Sequence, residues 1–228
     1  MKNLKPIKLV PAREMVAIRL REAIMLRELK EGDLITLEGI ASQLDVSITP
    51  VREAFQILEG ELLIKRRPNK SALVLGISRK NLQDHYETRA VLESEAAAMA
   101  AKSGADISDI VELHQHTEKL LNEGVVEEYS NSNHAFHLGI WEAAGNDKIK
   151  AILTSLWNGL SMDVGITEME YAKLSHREHT GILQAILDRD PEKARALMNE
   201  HIYRSYKNIL TRFNVEENKQ NEEEKNGQ

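Results

Sequence analysis

Eight histidines and no cysteine occur among the 228 residues, so any transition-metal site in this chain must use nitrogen and oxygen ligands. Three of the histidines fall where a helical rhythm turns them inward. Tyr129, Asn133, Phe136, His137, Ile140 and Ala144 recur three and four residues apart, which puts Asn133 and His137 on one face. His179 shares a stripe with Ile182, Leu183 and Ile186, and His201 shares one with Ala194, Leu197, Met198, Ile202, Ser205 and Ile209. Buried separately, three imidazoles each need a hydrogen-bond partner, whereas one divalent ion satisfies all three. Three ring nitrogens and an amide oxygen suit zinc, nickel or a similar divalent transition metal and leave positions for water or a ligand. Spacing alone leaves both readings open, and His176, three residues before His179, competes for its place. His134 lies off the inward stripe, and His85, His114 and His116 read as surface or interface residues.

A cation also interrupts an apolar stripe. Leu82, Tyr86, Arg89, Leu92, Glu93, Ala96 and Met99 trace one helical face, so Arg89 either pairs with Glu93 at helical spacing or offers a bidentate fork to the carboxylate of a small effector. Elsewhere Lys65, Arg66, Arg67 and Lys70 lie within six residues, a cluster suited to phosphate contact but also to a solvated loop. Charge is divided along the chain. Residues 1–78 hold 13 Lys+Arg against 10 Asp+Glu, while the whole chain carries a formal −6, so a mildly basic first third precedes an acidic remainder that contains every histidine.

These groups need a scaffold, and the composition supplies one. With 42% hydrophobic and 29% charged residues the chain reads as an ordinary globular protein of one large or two small domains. No apolar run approaches the roughly 20 residues that span a bilayer, and MKNLKPIKLVPAREM lacks an apolar signal core, so no membrane partner and a cytoplasmic location are expected. In the first third, a helix over about 12–29 is followed by a short one over about 37–44. A tight turn at Asp45-Val46-Ser47 leads to a third helix that Ser47 or Thr49 can cap and whose first turn tolerates Pro50. Val51, Ala54, Phe55 and Leu58 form its buried stripe, with Arg52 and Gln56 outward. Two β-prone runs, 62–65 and 72–75, flank the basic turn. This order is that of a winged helix-turn-helix, in which the third helix enters the major groove and the hairpin grips backbone. From Ser78 onward six helices fit, over about 79–103, 107–122, 125–145, 147–164, 172–189 and 191–212, predicting an all-α antiparallel bundle. The segments 1–76, 77–213 and 214–228 are therefore expected to be a DNA-binding domain, a helical ligand- and metal-binding domain, and a disordered acidic tail.

The stretch ASQLDVSITPVREAFQILEGELLIKRRPNKSALV resembles the DNA-binding domain of GntR-type bacterial transcription regulators, through VS-x-TPVREA above all. The resemblance implies that Ser47, Thr49 and Arg52 contact double-stranded operator DNA from the recognition helix, with Arg67 and Lys70 on the wing beside Arg66. Two positions depart from the pattern: Ile48 replaces a base-reading arginine and Ser71 a wing glycine. ETRAVLESEAAAMAA, NHAFHLGIWEAAGN, EHTGILQAILDRDPEKA and MNEHI resemble the successive signatures of the FCD effector domain of the FadR subgroup. That resemblance implies a metal held by Asn133, His137, His179 and His201, with His179 preferred to His176. It also implies a homodimeric regulator, more often a repressor, that responds to a small organic acid. Two rivals stand beside it. One is a metal-free regulator with a larger acyl ligand; the other is a metal-dependent enzyme, disfavoured because no carboxylate shares the ligand stripes as a general base.

Overall fold

The computed structural model describes residues 11–25, 27–157 and 168–226. The chain divides into two compact units, Met1–Ile77 and Ser78–Gln228. In the first unit, helix α1 (Ala12–Met25) precedes strand β1 (Leu34–Thr36), helix α2 (Leu37–Gln43), helix α3 (Ile48–Gly60) and the hairpin β2 (Ile64–Arg67) and β3 (Ser71–Val74). The strands form an antiparallel sheet in the order β1-β3-β2, with Ile35 opposite Ala72 and Ile64 opposite Val74. The three-residue strand β1 was not expected. It is too short to show an alternating pattern, and its partner β3 makes it a strand.

The turn between α2 and α3 works because Asp45 accepts a left-handed φ of 50°, a conformation that Asp tolerates better than most residues. Thr36 caps α2 by accepting the Gly39 amide at 3.0 Å. Ser47 occupies the cap position of α3, but its side chain makes no capping bond. Val16, Leu20, Ile24, Ile40, Phe55, Leu58 and Ile64 belong to one continuous apolar core. A buried bidentate pair, Arg21 to Glu61 at 2.6 Å on both arms, ties α1 to the residue after α3. These features make the unit a winged helix-turn-helix.

The second unit contains six helices among the described residues: α4 (Arg79–Ser103), α5 (Ser108–Asn122), α6 (Tyr129–Ala143), α7 (Asp147–Leu156), α8 (Glu168–Leu187) and α9 (Pro191–Asn226). Ser78 caps α4 through the Asn81 amide, and Gly104 ends it with a left-handed φ of 65°. Six alanines of α4, Ala90, Ala96, Ala97, Ala98, Ala100 and Ala101, are almost wholly buried, and α4 packs most extensively on α9. Small side chains allow two helices to approach closely. The approach of α5 to α6 depends on Gly139, where an added Cβ would sit 2.7 Å from the Ile110 side chain. Where a frayed acidic tail is expected over 214–228, α9 continues to Asn226. Glu, Lys and Gln are good helix formers.

Candidate functional site

Two surfaces of α3 divide its work. Val51, Ala54, Phe55 and Leu58 face the core, while Ser47, Thr49, Arg52 and Gln56 are exposed. Arg52 shares a groove of about 190 Å³ with Arg66, Arg67 and Lys70 of the wing. The four cations are not equivalent. Arg66 donates to Glu59 at 2.5 Å and Lys70 approaches Glu38 at 3.3 Å, whereas Arg52 and Arg67 form no ion pair among the described residues. Ile48 is half-buried and packs against the core of this unit, so the position cannot read bases as an arginine would. Ser71 stands in β3, and the left-handed residue of the wing turn is Lys70, with φ 54°.

In the second unit α6, α8 and α9 bring His137, His179 and His201 together, each almost fully buried, with one ring nitrogen of each within 4.8 Å of the others. The Nε2 atoms of His137 and His201 are 3.2 Å apart, and Nε2 of His179 is buried without a partner. Asn133, one turn before His137 and 6% exposed, has its Oδ1 buried and unpartnered as well. His176 is not part of this group. Its ring instead stacks on His114, with centroids 3.9 Å apart. His114, expected at the surface, is half-buried because of that contact and its bond to Thr180.

Carboxylates that the stripes did not announce orient two of the three rings. Glu93 of α4 lies 2.5 Å from Nδ1 of His137 and Glu178 of α8 lies 2.6 Å from Nδ1 of His201, so each imidazole can donate from Nδ1 and keep Nε2 as an acceptor. Glu93 was legible only as a partner for Arg89, and Glu178 points off the His179 stripe, which is why spacing did not connect either to a ring. Arg89 donates from Nε and Nη2 to one oxygen of Glu93, at 3.0 and 2.6 Å, and lies over the rings of Tyr86 and Trp157. Arg204 donates to Glu178 at 2.6 Å. Trp157 also stacks on His134.

Burial favours neutral rings at His179 and His201. Burial and the neighbouring imidazoles push His179 well below the ordinary histidine range, and burial drives His201 down to about 4 despite Glu178. Burial opposes the charge of Glu93, but His137 and Arg89 outweigh it and hold this carboxyl far below the usual range. The result is neutral imidazoles at His179 and His201 beside ionised carboxylates at Glu93 and Glu178.

Residues 12–74 match the bacterial regulatory proteins of the gntR family, and residues 84–204 match the FCD domain. The chain belongs to the GntR family and carries an FCD domain. A Glc operon transcriptional activator of Escherichia coli is 26% identical over 227 residues, spanning 87% of this chain and 89% of its own. A gluconate operon transcriptional repressor of Bacillus subtilis is 27% identical over 206 residues, spanning 85% and 82%. The solved structure of E. coli McbR/YncC shares the fold, with a TM-score of 0.68 at 22% identity over 90% of this chain and all of that one. This GntR-family chain is therefore a DNA-binding transcription regulator with an effector domain, and not an enzyme. Among the described residues no helix is long and apolar enough to cross a membrane.

Proposed function

We propose that this regulator acts as a homodimer that senses a small organic acid at a divalent transition metal, zinc or nickel, held by Asn133, His137, His179 and His201. One observation carries the reading: three buried imidazole nitrogens converge beside an orphaned amide oxygen, and two of the rings are already oriented by carboxylates through Nδ1. Buried polar atoms are rarely left without partners, and one cation would satisfy both orphans. When bound, the ion supplies Lewis acidity and open positions for the effector's carboxylate. The chain's own residues do the rest. Glu93 and Glu178 fix ring orientation, and Arg89 neutralises Glu93 while keeping Nη1 uncommitted to it, facing a carboxylate of the effector.

Signalling follows from connectivity. Helix α4 begins directly after the DNA-binding unit, and Glu93 ties α4 to His137 on α6. An effector that prefers one arrangement of this tie shifts the equilibrium between two orientations of the heads, with the Gly76–Ser78 junction as pivot. Gly76 has a φ of +72°, in the left-handed region that glycine adopts without steric cost. Two heads of a symmetric dimer would read half-sites of a pseudo-palindrome through Ser47, Thr49 and Arg52, with Arg66, Arg67 and Lys70 on the backbone. Relatives named as an activator and as a repressor make either sign of control compatible with the fold; the repressor sign is the one adopted here.

The 3.2 Å contact between His137 and His201 favours a second reading, in which the rings bond each other and no metal binds. That reading requires room for a larger acyl ligand, and among the described residues the cavity lined by Asn133, His176 and His179 has a volume of about 10 Å³. Elemental analysis of untagged protein decides between them. About one equivalent of metal per chain is expected, and none in the His137→Ala/His201→Ala double variant; unchanged metal content in that variant overturns the assignment.

A further inference from the structure

Metal ligation leaves a neighbouring set of buried polar atoms unused. Asn133 and His179 form one wall of a cavity of about 10 Å³ that His114, Tyr129, Ser132 and His176 complete. His176 is 7% exposed, and both of its ring nitrogens are buried without partners. The Thr180 hydroxyl donates to the His176 carbonyl at 3.0 Å, so it must accept from His114 Nε2–H, also at 3.0 Å. That chain of bonds fixes the tautomer of His114 and holds its ring flat against His176, with the planes 14° apart. Phe136 stacks on His179 at 4.0 Å and closes the cavity with hydrocarbon.

The chemistry of this compartment is specific. None of its lining residues is a lysine or arginine. Burial holds both imidazoles below the ordinary histidine range, His114 at about 4, so near neutral pH His176 offers one donor and one acceptor nitrogen, while His114, whose Nε2–H is given to Thr180, has only the acceptor Nδ1 left. A hydroxyl donates once and accepts, and so matches a neutral imidazole in either tautomer. A carboxylate can only accept and would enter a desolvated space with no cation to meet it. The volume accommodates a single oxygen atom, the size of a water or a hydroxyl.

We infer that the α5–α6–α8 cavity is a hydroxyl-recognition subsite built on His176 and His114, and that the effector is a small hydroxycarboxylate, anchored by its carboxylate at the metal centre and identified by its hydroxyl in this cavity. The inference rests on the metal-centred reading above for the carboxylate, and on the orphaned His176 for the hydroxyl.

The test is calorimetric titration of untagged, full-length, metal-loaded protein with propanoate, 2-hydroxypropanoate, 3-hydroxypropanoate and malonate, with metal content measured on each sample. At least one hydroxy acid is expected to bind tenfold or more tighter than propanoate, since a site built around a hydroxyl discriminates against ligands that lack it. His176→Phe keeps the ring and removes both nitrogens; it should abolish the preference while metal content stays unchanged. His114→Phe serves the same purpose should the first variant fail to fold. Affinities within threefold of one another, tighter binding of malonate, no binding by any acid, or a preference that survives both variants would overturn the subsite and leave the cavity to a structural water. A preference retained in wild-type protein that contains no metal sinks the carboxylate anchoring and leaves the hydroxyl subsite standing.

Discussion

The two units handle charge in opposite ways. In the DNA-binding unit the apolar core is continuous, the one buried cation among the described residues, Arg21, is paired with Glu61, and the cations proposed to meet DNA stand in solvent. In the FCD unit the groups proposed to bind metal and effector are inside: Arg89, Glu93, His137, His179 and His201 are each at most 5% exposed, and hydrogen bonds link Arg89–Glu93–His137 and Arg204–Glu178–His201. The difference follows from the partner each unit meets. A polyanionic duplex is large and arrives from solvent, so exposed cations on a rigid helix and hairpin suffice. A small ligand or ion must be distinguished from water, which requires donors and acceptors fixed beforehand in a desolvated space. Substitutions should therefore separate folding from function in the first unit and fuse them in the second.

The sharpest contrast lies between Glu93 and Arg52. Glu93→Ala strips a buried guanidinium of its partner and leaves His137 unoriented, and removal of one member of a buried pair typically costs about 3–5 kcal/mol. Chemical denaturation of the metal-free protein should show a loss of that size; a loss below about 1 kcal/mol would mean that Arg89 finds solvent and that the chain of bonds is not structural. Glu93→Gln retains a hydrogen-bonding side chain without the charge. It should weaken metal binding by about 10- to 100-fold, the usual effect of losing a carboxylate behind a histidine ligand. Arg52→Ala inverts the pattern. Stability should move by no more than about 0.5 kcal/mol, while affinity for an operator selected from a random duplex library should fall by about 1–3 kcal/mol, the discrimination carried by one base-reading arginine. Undiminished affinity would remove Arg52 from the recognition surface.

The same contrast explains what the sequence disclosed. The first unit was readable in order, because its function occupies one uninterrupted stretch in which helix, cap, turn and basic hairpin follow one another. Only β1 and the ends of α1 and the wing strands escaped, since the partner strand and tertiary packing decide where such short elements stop. The histidines of the second unit were legible through helical periodicity, which reports facing direction. Periodicity says nothing of what lies opposite. Glu93 and Glu178 therefore went unconnected to the rings they orient, and the pairing of His114 with His176 across α5 and α8 left no mark in either helix alone.

Within the wing a finer division should appear. Each phosphate contact contributes about one unit to the slope of log affinity against log salt concentration. Arg67 carries no ion pair among the described residues, so Arg67→Ala should lower that slope by about one. Arg66 already pairs with Glu59 and Lys70 with Glu38; their alanine variants should change the slope less, because part of each charge is spent within the protein. Equal slopes for all three variants would show that these surface pairs dissolve on contact with DNA.

The smallest expected effect concerns His114, the one ring of its compartment that reaches toward solvent. Burial, then the adjoining His176, lowers its folded-state pKa to about 4 from an ordinary 6.5. The stacked face is His176, itself held down by burial against the opposing pull of Glu118; Thr180 bonds the edge and Phe136 flanks it. Below pH 6.5 the unfolded chain binds a proton at this position that the folded chain refuses until about pH 4, so the folded state loses stability as pH falls through that window and is indifferent to His114 above it. His179 and His201 act in the same direction, and a comparison with His114→Phe cancels their contribution. The wild-type urea midpoint, measured relative to that variant, should therefore decline from pH 7 to pH 4.5. The decline should be modest, because a half-exposed ring is partly screened by water. A difference that stays flat across this range would mean that His114 protonates freely in the fold, and a charged ring there would turn the cavity from a hydroxyl site into an anion site.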